Sequence, residues 1–247
     1  MKIGILTSQP EEVEHIIEQI EHKHIVERAG RVFYEGVFFG TEMVIVFSNW
    51  GKVAAALTVS ILCSEFDVER IISVGVASAV VPELKMGDIV VGQRLFQHDM
   101  DMRPLFRQYE IPLLGVTSFA TPEYELNRSM DAVHVFLKQE KEFRKLLQEQ
   151  GVAPQTHIGD IASGDLFITG ATRKATINRN LPSVLCVDME SAAIAQACFD
   201  LSKSFAFVRY IADTANEDIN ANLSIKFKRD WASQYSYFLI KAIAQIA

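Results

Sequence analysis

Acidic residues stand where apolar, β-branched runs end. KIGIL runs into TSQPEE, with Glu11 and Glu12; SVLCV runs into Asp188, Met189 and Glu190; FAFVRYIAD closes on Asp213 and carries Arg209 inside its apolar stretch. Carboxyl groups can give or take a proton, and in open α/β sheets ligands sit just outside the carboxyl ends of the strands, so acids there outrank acids on helix faces as candidates for chemistry. Each also has an ordinary explanation. Glu11 and Glu12 fall in the first turn of a helix that Ser8 would cap and Pro10 would open, where they complement the helix dipole. Asp188 sits where an N-cap belongs, so that its loss would cost about 1 kcal/mol; Glu190 is explained less well that way. Asp213 suits a cap or a turn. Arg209 is different, because a charge within a buried strand needs a partner, and one of these carboxylates is the expected one.

The elements that must position these residues follow from the hydrophobic pattern. Short β-branched runs alternate with helical stretches: KIGIL then PEEVEHIIEQI, EMVIVFS then KVAAALTVSIL, RIISVGV and DIVVGQRLF, SVLCV then MESAAIAQAC, FAFVRYIAD then a final helix. That order predicts an α/β fold with a mixed, mostly buried sheet. Residues 24–39, HIVERAGRVFYEGVFF, read instead as two strands joined at Ala29-Gly30, a hairpin placed early. In the last helix Trp231, Tyr235, Phe238, Ala242 and Ile246 recur at three- and four-residue steps, a stripe that would lie on the sheet. The stretch 98–122 has weak periodicity and three prolines and reads as a long irregular loop, of a length that is usually functional or interfacial. No repeat, low-complexity tract or flexible linker divides the chain, so residues 1–247 are expected to form a single domain.

Composition narrows the partners. With 49% apolar residues and a net charge of −7, the chain can bury a substantial core and carries no basic stripe for phosphates, so small molecules are expected and nucleic acid is not. There is no apolar run of about 18 residues, and MKIGILTSQPEE meets Pro10 and two acids too early for a signal peptide, so no membrane partner is expected. Cys63, Cys186 and Cys198 are odd in number and lack CxxC spacing, which gives little support to a disulfide framework or a zinc site and points to a reducing cytoplasm. His15, His22 and His24 at the end of the first helix, and KFKRD at 226–230, read as solvated faces.

Taken together, the segments are specific. The start MKIGI followed by EEV, GKVAAA at 51–56, LKMGDIVV at 84–91, SGDLFI at 163–168, VDMESAAIA at 187–195 and VRYIAD at 208–213 resemble, in the same order, the 5′-methylthioadenosine/S-adenosylhomocysteine nucleosidases of the purine nucleoside phosphorylase superfamily. The resemblance spans nearly the whole chain. It implies a single-domain, three-layer αβα fold around a central mixed, twisted sheet, and hydrolysis of the N-glycosidic bond of a 5′-substituted adenosine without metal or other cofactor. It implies that Asp213 is the general acid toward N7 of the purine, that Glu12 is the base that draws a proton from the attacking water, and that Arg209 helps to position that water. Glu190 would hold the ribose hydroxyls with Met189 packed on the sugar, Phe167 would stack on the base and Ile168 would read its edge through the main chain. The division is chemically reasonable: an oxocarbenium-like sugar needs a proton on the departing base from one side and water from the other, as inverting glycosidases arrange with two separated carboxyls.

Some positions depart from the family pattern. The small-residue loop after the third core strand, rich in glycine in the family, is GVASAV at 75–80; Val76 replaces a polar side chain next to Ala77, and Ser78 and Ala79 stand where glycines would let a backbone pass close to the ligand. The same change weakens the phosphorylase alternative, which needs a phosphate cradle, and no arginine precedes Arg28. Ala212 replaces a serine before the catalytic acid. Trp50, with Gln9 near it, stands where a small aliphatic residue usually lines the 5′ subsite, so either the 5′ preference changes, toward another 5′-modified adenosine or a futalosine-type nucleoside, or the indole fills a core corner. The loop at 98–115 resembles a segment that crosses a dimer interface to close the neighbour's 5′ subsite, with Leu105, Phe106 and Pro112 as the candidates, which implies a homodimer. His98 and Asp99 at its start read as structural. A further alternative is a nucleoside-binding protein with dulled chemistry; retention of Glu12, Glu190 and Asp213 argues against it.

Overall fold

The computed structural model describes residues 1–149, 151–215 and 231–247; KFKRD at 226–230 lies outside them. The strands are β1 (Ile3–Thr7), β2 (Glu21–Arg28), β3 (Arg31–Phe38), β4 (Thr41–Phe47), β5 (Arg70–Ala79), β6 (Ile89–Gln97), β7 (Ser118–Ala120), β8 (Thr156–Ser163), β9 (Val184–Asp188) and β10 (Ser204–Asp213). The helices are α1 (Glu14–Ile17), α2 (Lys52–Glu65), α3 (Glu123–Gln139), α4 (Lys141–Glu149), α5 (Ala171–Asn180), α6 (Ser191–Asp200) and α7 (Ala232–Gln245), with a 3₁₀ turn at Pro10–Val13 before α1.

All ten strands join one mixed sheet in the order β10-β6-β8-β9-β5-β1-β4-β3-β2, with β7 on β6. β10 also pairs with β5, so β5, β10, β6, β8 and β9 form a closed ring. The expected hairpin is present, with Arg28 opposite Arg31 across Ala29-Gly30. Strand alternation divides the core between two helical layers. Along β10, Phe205, Phe207 and Ile211 pack with α2 and α6, while Ala206, Val208, Tyr210 and Ala212 pack with α3, α4 and α7. The stripe on the last helix does face the sheet, its deepest residues being Ala232, Tyr235, Leu239 and Ile240, with Phe238 and Ile246 only partly buried.

Several local expectations change. The helix foreseen over residues 10–20 is a 3₁₀ turn and a single α turn ending at Ile17. Gln9, not Ser8, holds the N-cap position; the Ser8 hydroxyl is engaged with Glu12 and with the Val76 N–H instead. His22 and His24 lie on β2 rather than at a helix end. The segment 98–122 contains β7, held by Phe119 opposite Leu95. GVASAV is not a loop: residues 75–79 continue β5, whose far end pairs with both β10 and β9. The N-cap position of α6 is Glu190, although Asp188 still accepts the N–H groups of Glu190 and Ser191 at 3.2 Å each.

Candidate active site

The carboxyl ends of β1, β5, β9 and β10 converge on a cavity of about 390 Å³, a volume suited to a nucleoside-sized ligand. Its wall brings together Asp213, Glu190, Met189, Asp188, Phe167, Ile168, Trp50, Val76, Ala77 and Ser78, which come from widely separated parts of the chain, with Ser8, Gln9, Leu166, Val187 and Ala212. Leu105, Phe106 and Pro112 do not join it within this chain. Neither Arg209 nor Glu12 lines it.

Asp213 owes its placement to a β-bulge: the register of β10 on β5 shifts between Ile211 and Asp213, so Asp213 falls opposite Ser78. Bulges of this kind re-aim a side chain next to a functional site. The Ser78 hydroxyl donates to Asp213 Oδ2 at 3.1 Å, so the hydroxyl absent at position 212 is supplied from the neighbouring strand. Lys174 of α5, fully buried, places its ammonium 3.2 Å from Asp213 Oδ1 and donates to the Thr214 carbonyl at 2.7 Å.

Glu12 is fully buried directly behind Ser8 and Gln9. Its Oε2 accepts the Ser8 N–H at 2.6 Å and the Gln9 N–H at 2.8 Å; the Ser8 hydroxyl lies 3.3 Å from both carboxylate oxygens, and the Tyr210 hydroxyl donates to Oε1. Burial pushes Glu12 up to about 7, against the lowering effects of Tyr210, the Gln9 and Ser8 N–H groups, and the more distant charge of Arg209. Ser8 can come this close to β5 only because residue 75 is glycine: a Cβ there would lie 2.1 Å from Ser8 Oγ.

Asp188 is a hub rather than a simple cap. It pairs with Arg209 Nε at 2.8 Å and accepts the Ser163 hydroxyl at 2.5 Å and the Ser191 hydroxyl. Arg209 is completely buried; its Nη2 donates to the Ser73 and Ser191 hydroxyls at 2.8 Å and its Nη1 to the Val208 carbonyl at 3.3 Å. The expected partnership of Arg209 with an acid is therefore with Asp188. Glu190 next to it accepts the Gly51 N–H at 2.9 Å; burial, reinforced by the charge of Asp188, pushes it up to about 8.

The segment bearing Phe167 is pinned by a polar network. Asp99 accepts the Asp165 N–H at 2.9 Å and the Lys52 ammonium at 2.8 Å, and Asp165 accepts the Lys52 N–H at 2.8 Å. This gives His98 and Asp99 a structural setting, with His98 mostly buried and its pKa lowered for that reason. Trp50 is no core residue: it is 59% exposed, donates its indole N–H to the Ser8 carbonyl at 3.0 Å and packs edge-on against Phe47 at 5.8 Å. Sequence reasoning missed Lys174, whose polar surroundings ATRKATINRN mark nothing, and Tyr210, which reads as an ordinary strand aromatic. Among the described residues no group of three or more His, Cys, Asp or Glu is placed to hold a metal, and no helix is long and apolar enough to cross a membrane.

Residues 2–246 match the family described as the phosphorylase superfamily. A 5′-methylthioadenosine/S-adenosylhomocysteine nucleosidase of Colwellia psychrerythraea is 34% identical over 218 residues, 88% of this chain and 86% of that protein. The crystal structure of a nucleosidase from the same organism, in complex with adenine, aligns with a TM-score of 0.86 at 29% identity, covering 100% of this chain and 95% of the other. The Streptococcus pneumoniae nucleosidase with 8-aminoadenine gives 0.85 at 28% identity with 100% of both chains covered. The futalosine hydrolase of Helicobacter pylori gives 0.82 at 27% identity, covering 100% of this chain and 98% of its own. Sequence order, fold and cavity thus agree: the chain belongs to the 5′-methylthioadenosine/S-adenosylhomocysteine nucleosidase family within the phosphorylase superfamily.

Proposed function

We propose that the protein hydrolyses the N-glycosidic bond of a 5′-substituted adenosine to adenine and the 5′-modified ribose. The observation that carries this reading is that a single cavity gathers Asp213, Glu190, Met189, Phe167 and Ile168, with Glu12 one hydrogen bond behind its wall. Asp213 delivers a proton to N7 of the purine as the bond breaks. Ser78 orients its carboxyl, and Lys174 favours the negative charge left on it once the proton has gone. Phe167 stacks on the base and the Ile168 main chain reads its edge. Glu190 grips the ribose hydroxyls, held from behind by the Gly51 N–H, and Met189 packs on the sugar.

Glu12 serves as the base. Its position near 7 suits a group that must be ionised to accept a proton at neutral pH. Ser8 lines the cavity and its hydroxyl faces both oxygens of Glu12, so the proton of the attacking water passes inward across Ser8. Trp50 narrows the 5′ end of the cavity and sets which 5′ groups enter. Exposed Leu105 and Leu113 on the 98–115 segment and Val53 and Leu57 on α2 support a homodimer in which that segment closes the neighbouring site. Free Cys63, Cys186 and Cys198 fit a reducing cytoplasm.

Incubated with 5′-methylthioadenosine in phosphate-free buffer, the protein is expected to release adenine, and a panel of adenosines varied only at the 5′ position then reads the Trp50 subsite. Asp213→Asn is expected to lower turnover by at least roughly 10³-fold with nucleoside binding retained. A requirement for phosphate with 5-methylthioribose-1-phosphate as product, or unchanged turnover in that variant, overturns the assignment.

A further inference from the structure

Successive side chains of β10 face opposite helical layers, and two neighbours in that alternation each meet a carboxylate. Arg209 reaches Asp188 on the α6 side; Tyr210 reaches Glu12 on the α7 side. Tyr210 is completely buried and does not line the cavity. Its ring stacks on Tyr235 with centroids 4.9 Å apart and planes at 22°, and Tyr235 is anchored by its own hydroxyl on the Gly87 carbonyl at 2.9 Å. The Tyr210 oxygen lies 3.3 Å from the Ala232 carbonyl and 3.5 Å from Ser236 Oγ. A phenol so braced cannot swing away from Glu12 without disturbing β10 and α7 together.

We propose that Tyr210 is the positioning residue of the base, its phenol holding Glu12 Oε1 from the layer behind the site so that Oε2 stays turned to Ser8 and Gln9 at the cavity wall. This rests on the reading of Glu12 as the base. Tyr210 touches neither substrate nor reacting atoms and acts only through Glu12. A hydroxyl that donates to a carboxylate favours the ionised form, so Tyr210 also opposes the effect of burial and is the strongest of the groups that do so. The charged and titratable groups around Glu12, among the described residues, are Tyr210 and Arg209 from β10 and, behind Tyr210, Tyr235 from α7; on its own turn Glu14 is exposed and Glu11 half-buried.

The test compares pH profiles of kcat/KM for adenine release by the full-length wild type, Tyr210→Phe, and protein carrying 3-fluorotyrosine at position 210, with Glu12→Gln as reference. Tyr210→Phe keeps the ring stacked on Tyr235 and removes only the donor. Its acid limb is expected to move to higher pH by about one unit, which lowers kcat/KM about tenfold at pH 6 with KM nearly unchanged. Fluorotyrosine, a more acidic donor, is expected to move the limb the other way, and decides the matter if the phenylalanine variant does not fold. A uniform loss of rate with the limb unmoved in the folded variants overturns the role of Tyr210 alone. Activity that survives in Glu12→Gln overturns both that role and the assignment of the base.

Discussion

Asp188 and Glu12 are carboxylates of similar burial, served by consecutive residues of one strand, and the protein treats them oppositely. Asp188 lies against a guanidinium at 2.8 Å, with serine hydroxyls and backbone N–H groups completing its shell. Its charge is matched. Glu12 meets neutral donors only, the Ser8 and Gln9 N–H groups and two hydroxyls, while the charge of Arg209 reaches it without a contact. Neutral donors offset only part of the loss of water, so Glu12 sits near 7. A matched carboxylate fixes two elements together; an unmatched one stays able to exchange a proton near neutrality.

The comparison breaks or sharpens on three measurements. Glu12→Gln is expected to cost at least roughly 10³-fold in kcat/KM, the scale of a lost general base, while thermal stability at pH 8 stays equal or rises because a buried charge has gone. A large loss of stability would instead make Glu12 structural. Asp188→Ala is expected to cost about 3–5 kcal/mol in denaturant unfolding, since it strands buried Arg209; a cost of only about 1 kcal/mol would reduce Asp188 to a helix cap. The smallest effect is in pH. The carboxyl of Glu12 is raised from 4.5 in the unfolded chain to about 7 in the folded one. The stability it contributes is therefore complete below about 4.5 and is lost as pH rises through 7, of the order of 3 kcal/mol at full ionisation. Calorimetry of the ligand-free protein between pH 5 and 8 is expected to show this decline, and Glu12→Gln to flatten it; parallel curves for the two proteins would contradict the difference drawn between the two carboxylates.

What could be read from the chain beforehand follows the range of the forces involved. Period-two runs such as KIGIL and FAFVRYIAD, and the Ala29-Gly30 turn, fix β1, β10 and the hairpin locally, and the structure has them. The ring closure was not legible, because the pairing of β10 with both β5 and β6 joins segments far apart in sequence. Ser8 looked like a cap because local spacing favours it; a tertiary contact with Glu12 and Val76 takes its hydroxyl instead. Asp188 is legible at the strand end, but its ion pair with Arg209 depends on β9 and β10 flanking β5, which no local pattern reveals. Lys174 carried no signal at all, since a lysine in a polar helix reads as solvated until the fold buries it against Asp213.

Trp50 has a practical consequence. The chain has two tryptophans, and they occupy contrasting surroundings: Trp231 is buried at the start of the C-terminal helix, whereas Trp50 stands half in solvent at the mouth of the cavity, tethered by its indole N–H. Emission from the first is fixed by the protein interior and that from the second by whatever displaces water at the rim. The molecule therefore carries its own optical reporter of occupancy, red-edge fluorescence that shifts to the blue as a 5′ group settles against the indole, with Trp50→Phe as the silent reference.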